Sequence, residues 1–363
     1  MATLLETRNV RKIFTSGGGL FKSKKVTVAL DDFSLAIDDD TPIFTTIAGE
    51  SGSGKTTLSN LLLGFLAPTS GEVLYRGKPL TGMSAEARRQ FHKEVQAIFQ
   101  DPYEVYNPFY TIDHILTTPV QKFNLAGSKA EAHELIVNAL RNVGLNPRET
   151  LGRYPHQLSG GQRQRVTIAR ALIVRPRLII ADEPVSMVDA SLRASILENL
   201  RSLYRDFRIS FLYITHDLTT AYQMSKNIVV LYQGTVAEAG DVTQVIKTPQ
   251  HPYTQELVAS IPLPDPDRRW GPGGTATIET KNGRETSRRG SPLSTGAKMG
   301  CRYADRCPFV MAKCHEVPPP LYRTGPHRAV ACYLFEEAPV LPKDKLGEVL
   351  PAPFEGAESM ERR

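Results

Sequence analysis

The chain has 363 residues, 41% of them hydrophobic and 23% charged, and carries a net charge of +6. That length can bury the core of one large domain and leaves room for an appendage. No apolar run approaches ~18 residues, which disfavours a membrane-spanning protein, and residues 1–6 lack the basic region and cleavage site of a secretory signal. We therefore expect a protein of the cytosol.

Part of the positive charge is concentrated between Asp265 and Arg306, where nine Lys or Arg residues stand against five acids. A nucleic-acid-binding surface is one interpretation of this window. A solvated linker near an anionic membrane surface explains the same charge, and the chain has no recognisable nucleic-acid module. We favour the linker and expect no specific nucleic-acid partner.

In chain order, residues 4–39 have the pattern of β-strands, interrupted by a basic, glycine-containing insertion at 16–25. The apolar run 43–48 predicts a further strand. It is followed at once by Gly49-Glu50-Ser51-Gly52-Ser53-Gly54-Lys55-Thr56, which has the spacing of a phosphate-binding loop. This spacing indicates a nucleoside triphosphate as the ligand.

The chemistry of this phosphate loop matches that ligand. Its glycines let backbone N–H groups turn toward the phosphates, Lys55 can reach the β- and γ-phosphates, and the Thr56 hydroxyl can bind Mg²⁺. A helix predicted from Thr57 to Leu66, ended by Pro68, would place the phosphates at its N-terminus. A glycine-rich surface turn is the alternative. The predicted ATP-binding residues of this stretch are Gly49, Ser51, Gly52, Ser53, Gly54, Lys55, Thr56 and Thr57.

Residues 101–157 have helical patterns, such as Ala130–Val143, and predict a helical subdomain. The aromatic run Tyr103–Tyr110 lies at its start. Exposed aromatic side chains suit a protein interface, and packing within the helical subdomain is the alternative. The sequence leaves both interpretations open.

A second anion-binding element is predicted at Ser159-Gly160-Gly161-Gln162, which precedes a helical pattern at 163–172. Ser159 is placed as the helix N-cap, and the two glycines leave backbone N–H groups open to an anion. Because the loop at 49–56 can hold a triphosphate by itself, a second such element suggests that it grips the nucleotide of another copy.

Acidic and imidazole side chains stand at or just after the ends of two later predicted strands. Leu178–Glu183 predicts a buried strand that ends in Asp182 and Glu183, and buried carboxylates need a cation or a water molecule. In phosphoryl-transfer sites such an Asp holds Mg²⁺ and the following Glu polarises the attacking water. The strand Ser210–Ile214 would place His216 beside Glu183. The alternation of helices and strands in this half of the chain predicts an α/β fold with a largely parallel sheet.

All four cysteines lie within 32 residues, at Cys301, Cys307, Cys314 and Cys332. In a cytosolic protein this clustering favours a metal site over disulfides. The gaps of five, six and seventeen residues lack the close Cys pair of most zinc modules, whereas four thiolates can hold a [4Fe–4S] cluster. We favour the iron–sulfur cluster, in a structural role, with zinc as the alternative. Because this segment shares no residues with the phosphate loop, we expect the two sites to be independent.

In their order and spacing, the motifs at 49–56, 158–162 and 178–183 resemble those of the nucleotide-binding subunits of ATP-binding-cassette (ABC) transporters, whose signature is the run at 158–162. The resemblance covers residues 4 to about 262. It implies a P-loop NTPase cassette with a RecA-like core sheet, a small Cys-rich C-terminal extension and a mobile tail. The implied boundaries are 4–248 for the cassette, about 101–163 for its helical subdomain, 249–335 for the extension and 336–363 for the tail.

The segment after residue 248 indicates one branch of that family. His251-Pro252-Tyr253-Thr254 resembles the extension of the oligopeptide and dipeptide importers. The four-cysteine segment likewise resembles the C-terminal cluster-binding segment of these importers.

The resemblance also implies roles for single residues. Glu183 would be the catalytic base, His216 the γ-phosphate sensor and Lys55 a catalytic cation. The implied Mg²⁺ ligands are Thr56, Gln100 and Asp182. Phe14 stands where the family places an adenine-stacking aromatic, and core packing is the alternative.

Two further implied roles concern a second subunit. The signature residues would contact the ATP bound by that subunit, and Asp189 would communicate across the dimer. The signature residues concerned are Ser159, Gly160, Gly161 and Gln162.

The function implied is that of an ATP-hydrolysing subunit of a binding-protein-dependent importer for di- or oligopeptides, at the cytoplasmic face of the membrane. Its implied partners are two transmembrane permease subunits, a second ATP-binding subunit, identical or paralogous, and an extracytoplasmic solute-binding protein. Import of oligosaccharides or other small solutes by the same machinery is the alternative cargo. A soluble, redox-sensing ABC ATPase is the alternative from another class.

Overall fold

The computed structural model describes residues 3–17, 25–103, 105–261 and 299–351. Within these ranges the chain forms twelve β-strands and eleven α-helices. The strands are β1 (Thr3–Ser16), β2 (Lys25–Asp38), β3 (Phe44–Ala48), β4 (Ser70–Tyr75), β5 (Lys78–Pro79), β6 (Val95–Ile98), β7 (Leu178–Asp182), β8 (Ser210–Thr215), β9 (Asn227–Tyr232), β10 (Thr235–Asp241), β11 (Tyr322–Gly325) and β12 (Arg328–Val330). The helices are α1 (Lys55–Leu62), α2 (Ala85–Glu94), α3 (Ile112–Phe123), α4 (Lys129–Asn142), α5 (Pro147–Thr150), α6 (Gly160–Ile173), α7 (Ala190–Phe207), α8 (Leu218–Met224), α9 (Val242–Lys247), α10 (Pro252–Ala259) and α11 (Ala312–Glu316). Most of the predicted insertion at 16–25 and most of the basic window from Asp265 lie outside the described residues.

Eight of the described strands form the main sheet, in the order β11-β12-β10-β9-β3-β8-β7-β6. The five strands from β9 to β6 are parallel, and β10, β12 and β11 extend the sheet as antiparallel strands. Alternate side chains of the parallel strands enter two different cores: Ile180 and Leu212 pack with α1, whereas Ile179 and Phe211 pack with α6 and α7. Burial on both faces explains why these strands are almost entirely apolar. The predicted α/β class is confirmed.

The parallel strands bring the predicted polar segments to one edge of the main sheet. The phosphate loop follows β3, Gln100 follows β6, Asp182 ends β7 and His216 follows β8. The pairings Ala48↔Thr215 and Asp182↔Ile214 place the ends of β3, β8 and β7 side by side. The carboxyl ends of parallel strands are where open α/β sheets bind ligands.

A second, antiparallel sheet of the described residues has the order β2-β1-β4-β5. Its inner face shares one core with α1, through Leu5, Leu35 and Val73 from the strands and Leu58 and Leu61 from the helix. This core fixes the helix whose N-terminus faces the phosphate loop.

Helix α1 ends earlier than the sequence predicts. It stops at Leu62, because Gly64 adopts a left-handed conformation with φ 73°. The N–H groups of Gly64 and Phe65 bond back to the carbonyls of Leu61 and Asn60 at 3.1 and 2.9 Å. Glycine takes this conformation without strain, so Gly64 rather than Pro68 ends the helix.

The region between β6 and β7 is helical, as predicted. Helices α3, α4 and α6 share one core, with Leu116, Leu140 and Val166 at its centre. Ser128 caps α4 by accepting a hydrogen bond from the Glu131 N–H at 3.1 Å. No helix in the described ranges is long and apolar enough to cross a membrane.

The C-terminal segment, residues 299–351, is built into the main sheet. Strand β12 pairs with β10, and β11 pairs with β12. At this joint the fully buried Glu238 accepts a hydrogen bond from Arg328 Nη2 at 2.6 Å. Glu238 also accepts from the backbone N–H groups of Gln250 and His251. An appendage predicted from the sequence is thus an extension of the sheet itself.

The end of this segment also packs on the body of the protein. Leu341, Leu346 and Val349 are at most 4% exposed and belong to the core beneath β1 and β2. Lys343 forms an ion pair with Asp32 of β2 at 2.7 Å. The predicted mobile tail from residue 336 is therefore wrong as far as residue 351, because these apolar side chains are buried. Residues 352–363 lie outside the described residues.

Candidate active site

The phosphate loop has a conformation that its glycines permit. Gly49, Gly52 and Gly54 have φ values of 152°, 79° and 107°. A Cβ on Gly49 would lie 2.3 Å from the Leu231 carbonyl oxygen, and one on Gly54 would lie 2.4 Å from that of Ala29. Larger residues are excluded at both places, so the loop can pass close to the sheet and present its backbone at the N-terminus of α1.

Two polar side chains of the loop are buried within it. Lys55 is 6% exposed, and its Nζ donates to the carbonyls of Gly49 and Glu50 at 2.7 and 2.8 Å. Burial lowers the pKa of Lys55, and the acidic side chains nearby oppose this shift. Within the described part of the chain, Ser53 Oγ is buried without a hydrogen-bond partner. A polyphosphate would supply acceptors for both groups, so the loop fits that ligand.

Thr56 and Asp182, two of the predicted Mg²⁺ ligands, lie together. The Thr56 hydroxyl lies close enough to the Asp182 carboxylate to lower its pKa. Burial, and after it the negative charge of Glu183, raise the pKa of Asp182 to about 6, against the opposing effects of Lys55 and Thr56. A carboxylate destabilised in this way gains from a bound cation, so these two oxygen ligands fit Mg²⁺.

The third predicted Mg²⁺ ligand, Gln100, contacts the predicted base instead. Gln100 Nε2 donates to Glu183 Oε2 at 3.2 Å, and His216 Nδ1 lies 2.8 Å from Glu183 Oε1. Glu183 has a left-handed φ of 46°, which is strained for a residue with a side chain. Its N–H is held by the Ile214 carbonyl at 2.9 Å. The carboxylate is therefore fixed between an amide and an imidazole, next to Asp182 and the phosphate loop.

Phe14 lies near the end of β1 and is 41% exposed. The Lys12 ammonium is 5.3 Å from the centre of its ring. Core packing, the alternative interpretation of this residue, is therefore wrong. An exposed aromatic face is available for stacking on a planar ligand.

The signature residues form a helix N-terminus, as predicted. Ser159 Oγ accepts from the Gln162 N–H at 3.2 Å, and Gln162 Oε1 accepts from the Ser159 N–H at 2.9 Å. This reciprocal capping box rigidifies the start of α6. A Cβ on Gly161 would lie 2.8 Å from Leu192 of α7, and one on Gly160 would lie 3.8 Å from the Met187 carbonyl oxygen. The signature thus packs against the segment that leads into α7.

Asp189 belongs to that neighbouring segment. It precedes α7, it is exposed, and its side chain makes no capping hydrogen bond to the helix among the described residues. The carboxylate is therefore not used to cap its own helix, which leaves it accessible beside the signature.

Comparison with known proteins decides the family. The family described as ABC transporter matches residues 30–186, and the one described as Oligopeptide/dipeptide transporter, C-terminal region, matches 237–314. The oligopeptide transport ATP-binding protein AppF of Bacillus subtilis (strain 168) is 36% identical over 335 residues, which cover 92% of this chain and 98% of AppF. OppF of Escherichia coli (strain K12) is 35% identical over 332 residues, 91% of this chain and 95% of OppF. The chain belongs to the ABC transporter ATP-binding subunits of the oligopeptide branch.

A solved structure supports the cassette fold. The ABC cassette MJ0796, in a dimeric post-hydrolysis state bound to ADP and Pi, aligns with a TM-score of 0.57 at 28% identity. The alignment covers 66% of this chain and 99% of that one. Members of the ABC family hydrolyse ATP, and so does this subunit.

The aromatic run of this ABC subunit is divided between interior and surface. Tyr106 is half-buried and donates its hydroxyl hydrogen bond to the Arg163 carbonyl at 2.7 Å. Tyr103, Phe109 and Tyr110 are 56%, 86% and 50% exposed. Packing within the helical subdomain therefore holds for Tyr106, and the exposed aromatics keep a protein interface as a prediction.

A surface cavity of about 450 Å³ is lined by Tyr106 and by one of the exposed aromatics, Tyr110. It is lined on one side by Leu63, Phe65 and Phe99, which adjoin α1 and β6, and on the other by Tyr110 and residues of α3. The cavity therefore lies between the nucleotide-binding part and the helical part of the subunit.

The four cysteines come to one region without forming a recognisable metal site. None is disulfide-bonded. Burial raises the pKa of Cys307 to about 12 and that of Cys332 to about 11, and the other thiols of the group contribute to both shifts. Among the described residues, no three His, Cys, Asp or Glu side chains form a group that could hold a metal ion. The iron–sulfur cluster, and zinc as its alternative, therefore stay predictions.

Contacts between the C-terminal extension and the phosphate loop went undetected in the sequence. Arg306 donates to the Glu50 carboxylate through Nη1 and Nη2, at 3.2 and 3.3 Å. Tyr253 Oη accepts from the Glu50 N–H at 2.8 Å. The two regions therefore touch, although the two sites share no residues. The separation of 256 residues between Glu50 and Arg306 leaves no spacing signal from which the contact could be read.

Proposed function

We propose that this ABC subunit hydrolyses ATP to power the import of di- or oligopeptides. The observation that carries the proposal is the group formed by Lys55, Asp182, Glu183 and His216 at one edge of the main sheet. The relatives AppF and OppF are named oligopeptide transport ATP-binding proteins, which supports the choice of cargo.

The proposed chemistry assigns one task to each side chain. Glu183 accepts a proton from the attacking water, and His216 and Gln100 keep its carboxylate in position. Lys55 and the backbone N–H groups of the loop balance the charge on the phosphates. Thr56 and Asp182 would hold Mg²⁺, which neutralises charge on the β- and γ-phosphates. Phe14 would stack on the adenine.

The subunit is proposed to work as a head-to-tail pair, with itself or with a paralogue. Ser159, Gly160, Gly161 and Gln162 would then complete the ATP site of the partner subunit, and Asp189 would relay its state across the interface. The rigid, anion-compatible N-terminus of α6 supports this assignment. MJ0796, a similar cassette, has been solved as a dimer.

The remaining partners are proposed to be two transmembrane permease subunits and an extracytoplasmic solute-binding protein. The cavity lined by the exposed aromatics Tyr110 and Phe65 is a suitable docking place for a permease, since aromatic residues are enriched at protein interfaces. Docking there would hold the subunit at the cytoplasmic face of the membrane.

The experiment that tests this function is Glu183→Gln in the assembled transporter. The substitution keeps shape and hydrogen bonding and removes the base, so turnover of ATP should fall at least about 100-fold while MgATP still binds and closed dimers accumulate. Steady-state hydrolysis and size-exclusion chromatography with MgATP measure the two effects.

Glu198→Gln is the matched control, because Glu198 is an exposed residue of α7. It should hydrolyse ATP at the wild-type rate. Wild-type turnover by Glu183→Gln would show that the proposed base is wrong. Stimulation of hydrolysis by a binding protein loaded with an oligosaccharide, and not with peptide, would overturn the proposed cargo.

We also propose that the four cysteines bind a [4Fe–4S] cluster, with zinc as the alternative. Their grouping and the absence of disulfides among them support the proposal, whereas their present arrangement does not match a metal site. Anaerobically purified protein should be brown and contain about four irons per chain, and Cys307→Ser should bleach it. Stoichiometric zinc without iron would favour the alternative, and the absence of both metals would refute a metal site.

A further inference from the structure

The first residue after Gly49 in the phosphate loop, Glu50, is held by two residues of the C-terminal extension. Its backbone N–H donates to Tyr253 Oη, and its carboxylate accepts both Nη groups of Arg306. On the other side, the Glu50 carbonyl accepts from Lys55 Nζ. Glu50 thus lies between the extension and the lysine that is to bind the phosphates.

Arg306 is itself fixed by its surroundings. Its Nη2 donates to Glu256 of α10 at 2.6 Å. Its guanidinium carbon lies 5.6 Å from the ring centre of Tyr303 and 5.9 Å from that of Tyr232. Tyr303 also donates its hydroxyl hydrogen bond to Glu256. Because these groups already hold the arginine side chain in place, it loses little further conformational freedom when it contacts Glu50.

Tyr253 is equally constrained. It is fully buried, and its ring centre lies 4.4 Å from that of Tyr232. The backbone N–H of Glu50 is partly buried and needs an acceptor, and the tyrosine hydroxyl supplies it. The first turn of the phosphate loop is therefore anchored to α10.

The charge of Glu50 has a consequence for nucleotide binding. A carboxylate within the phosphate loop repels a bound polyphosphate, because both are negative. The bidentate contact with Arg306 neutralises this carboxylate. The ion pair is partly exposed, with side-chain exposures of 30% for Arg306 and 41% for Glu50, so solvent weakens its effect without abolishing it.

We propose that Arg306 and Tyr253 are positioning residues of the ATP site, through which the C-terminal extension sets the nucleotide affinity of its own subunit. Arg306 cancels the charge of Glu50, and Tyr253 fixes its backbone. The proposal rests on ATP binding at the Lys55 loop, as in the function proposed above.

The test is a double-mutant cycle on the full chain, with the dissociation constant for MgATP as the measurement. Arg306→Gln should weaken binding by about threefold to tenfold, since it exposes the phosphates to the charge of Glu50. Glu50→Gln in the Arg306→Gln background should restore affinity to within about twofold of wild type. In steady-state hydrolysis, Arg306→Gln should raise KM and leave kcat nearly unchanged.

Arg302→Gln is the matched control. Arg302 lies in the same turn of the extension and pairs with Asp31 of β2 at 2.5 Å, away from the phosphate loop. Equal affinities for Arg302→Gln and Arg306→Gln would overturn the proposal. Failure of Glu50→Gln to rescue Arg306→Gln would also overturn it, since the arginine would then act by packing alone.

Two further variants show whether a negative result concerns the role of Arg306 or the proposed ATP site itself. If Arg306→Gln does not fold, Glu50→Gln alone decides. With the negative charge of Glu50 removed and Arg306 still present, MgATP should bind about twofold to threefold more tightly, and unchanged or weaker binding refutes the proposal. If Lys55→Ala binds MgATP as well as wild type does, the proposed ATP site fails instead of the role of Arg306.

Discussion

The phosphate loop and the C-terminal segment at 299–351 obtain their structures in different ways. The loop is shaped by its own residues: Gly49, Gly52 and Gly54 adopt positive φ values, and Lys55 bonds to carbonyls five and six residues before it. The C-terminal segment is shaped by residues far from it in sequence, since its strand β12 pairs with β10. A local motif can therefore be read from spacing, and the placement of the segment on the sheet cannot.

The C-terminal segment is also joined to the rest of the cassette by three ion pairs. Glu50 contacts Arg306, Glu238 contacts Arg328, and Lys343 contacts Asp32. The first of these contacts reaches the phosphate loop itself. A segment that adds strands to the sheet and touches the loop is part of the cassette's structure, and it is expected to unfold with the cassette.

If the C-terminal segment is joined to the main sheet, Arg328→Met should have the largest effect on stability. The substitution leaves the carboxylate of Glu238 buried without its cation, which should lower the free energy of unfolding by about 3–5 kcal/mol. Urea denaturation of the full chain measures this loss.

Arg323→Met is the control for that prediction. Arg323 lies in the neighbouring strand β11 and pairs with Glu348 at 3.4 Å, and both side chains are more than a third exposed. Its loss should cost about 1 kcal/mol or less. Equal losses for the two variants would contradict the view that the Glu238–Arg328 pair joins the segment to the sheet.

A smaller, pH-dependent effect is expected from His251, which also lies at the joint. Its Nδ1 accepts from the Tyr253 N–H at 3.0 Å, and its backbone N–H donates to Glu238, the partner of Arg328 in β12. Burial lowers the pKa of His251 from 6.5 to about 4. The folded protein therefore binds this proton more weakly than the unfolded chain does. The stability contributed by neutral His251 is complete above about pH 6.5 and is lost as the pH falls to 4.

The two pKa values differ by about 2.5 pH units, which corresponds to about 3 kcal/mol. His251→Asn keeps a cap acceptor for α10 and cannot titrate in this range. Between pH 7 and pH 4, the wild type should lose about 3 kcal/mol of unfolding free energy relative to His251→Asn. A difference between the two proteins that does not change with pH would refute the assignment.

The parts of the fold that the sequence predicted share one property. The phosphate loop, the capped helix α6 and the buried strands β7 and β8 each depend on neighbouring residues, because period, capping and glycine spacing are local signals. The proximity of Glu183 and His216 could be predicted because both follow parallel strands, whose carboxyl ends lie at one edge of a sheet. These predictions needed the fold class and no exact contact.

The predictions that failed depended on a choice between two local signals or on distant contacts. Predicting the end of α1 required a choice between two signals, Gly64 and Pro68. The packing of Leu341, Leu346 and Val349 under β1 and β2 needed knowledge of the apolar surface there. None of these features has a periodic pattern in the sequence.

Hydrogen exchange in β12 tests most directly whether the C-terminal segment and the cassette form one unit. Residues Arg328–Val330 pair with Glu238–Gly240 of β10, and the Ala331 N–H donates to the Ala237 carbonyl at 2.8 Å. In the full chain without nucleotide, the amides of β12 should exchange with the same opening free energy as those of β10, because both strands open only with the sheet. Exchange of β12 at the rate of an unprotected peptide, while β10 stays protected, would contradict the account.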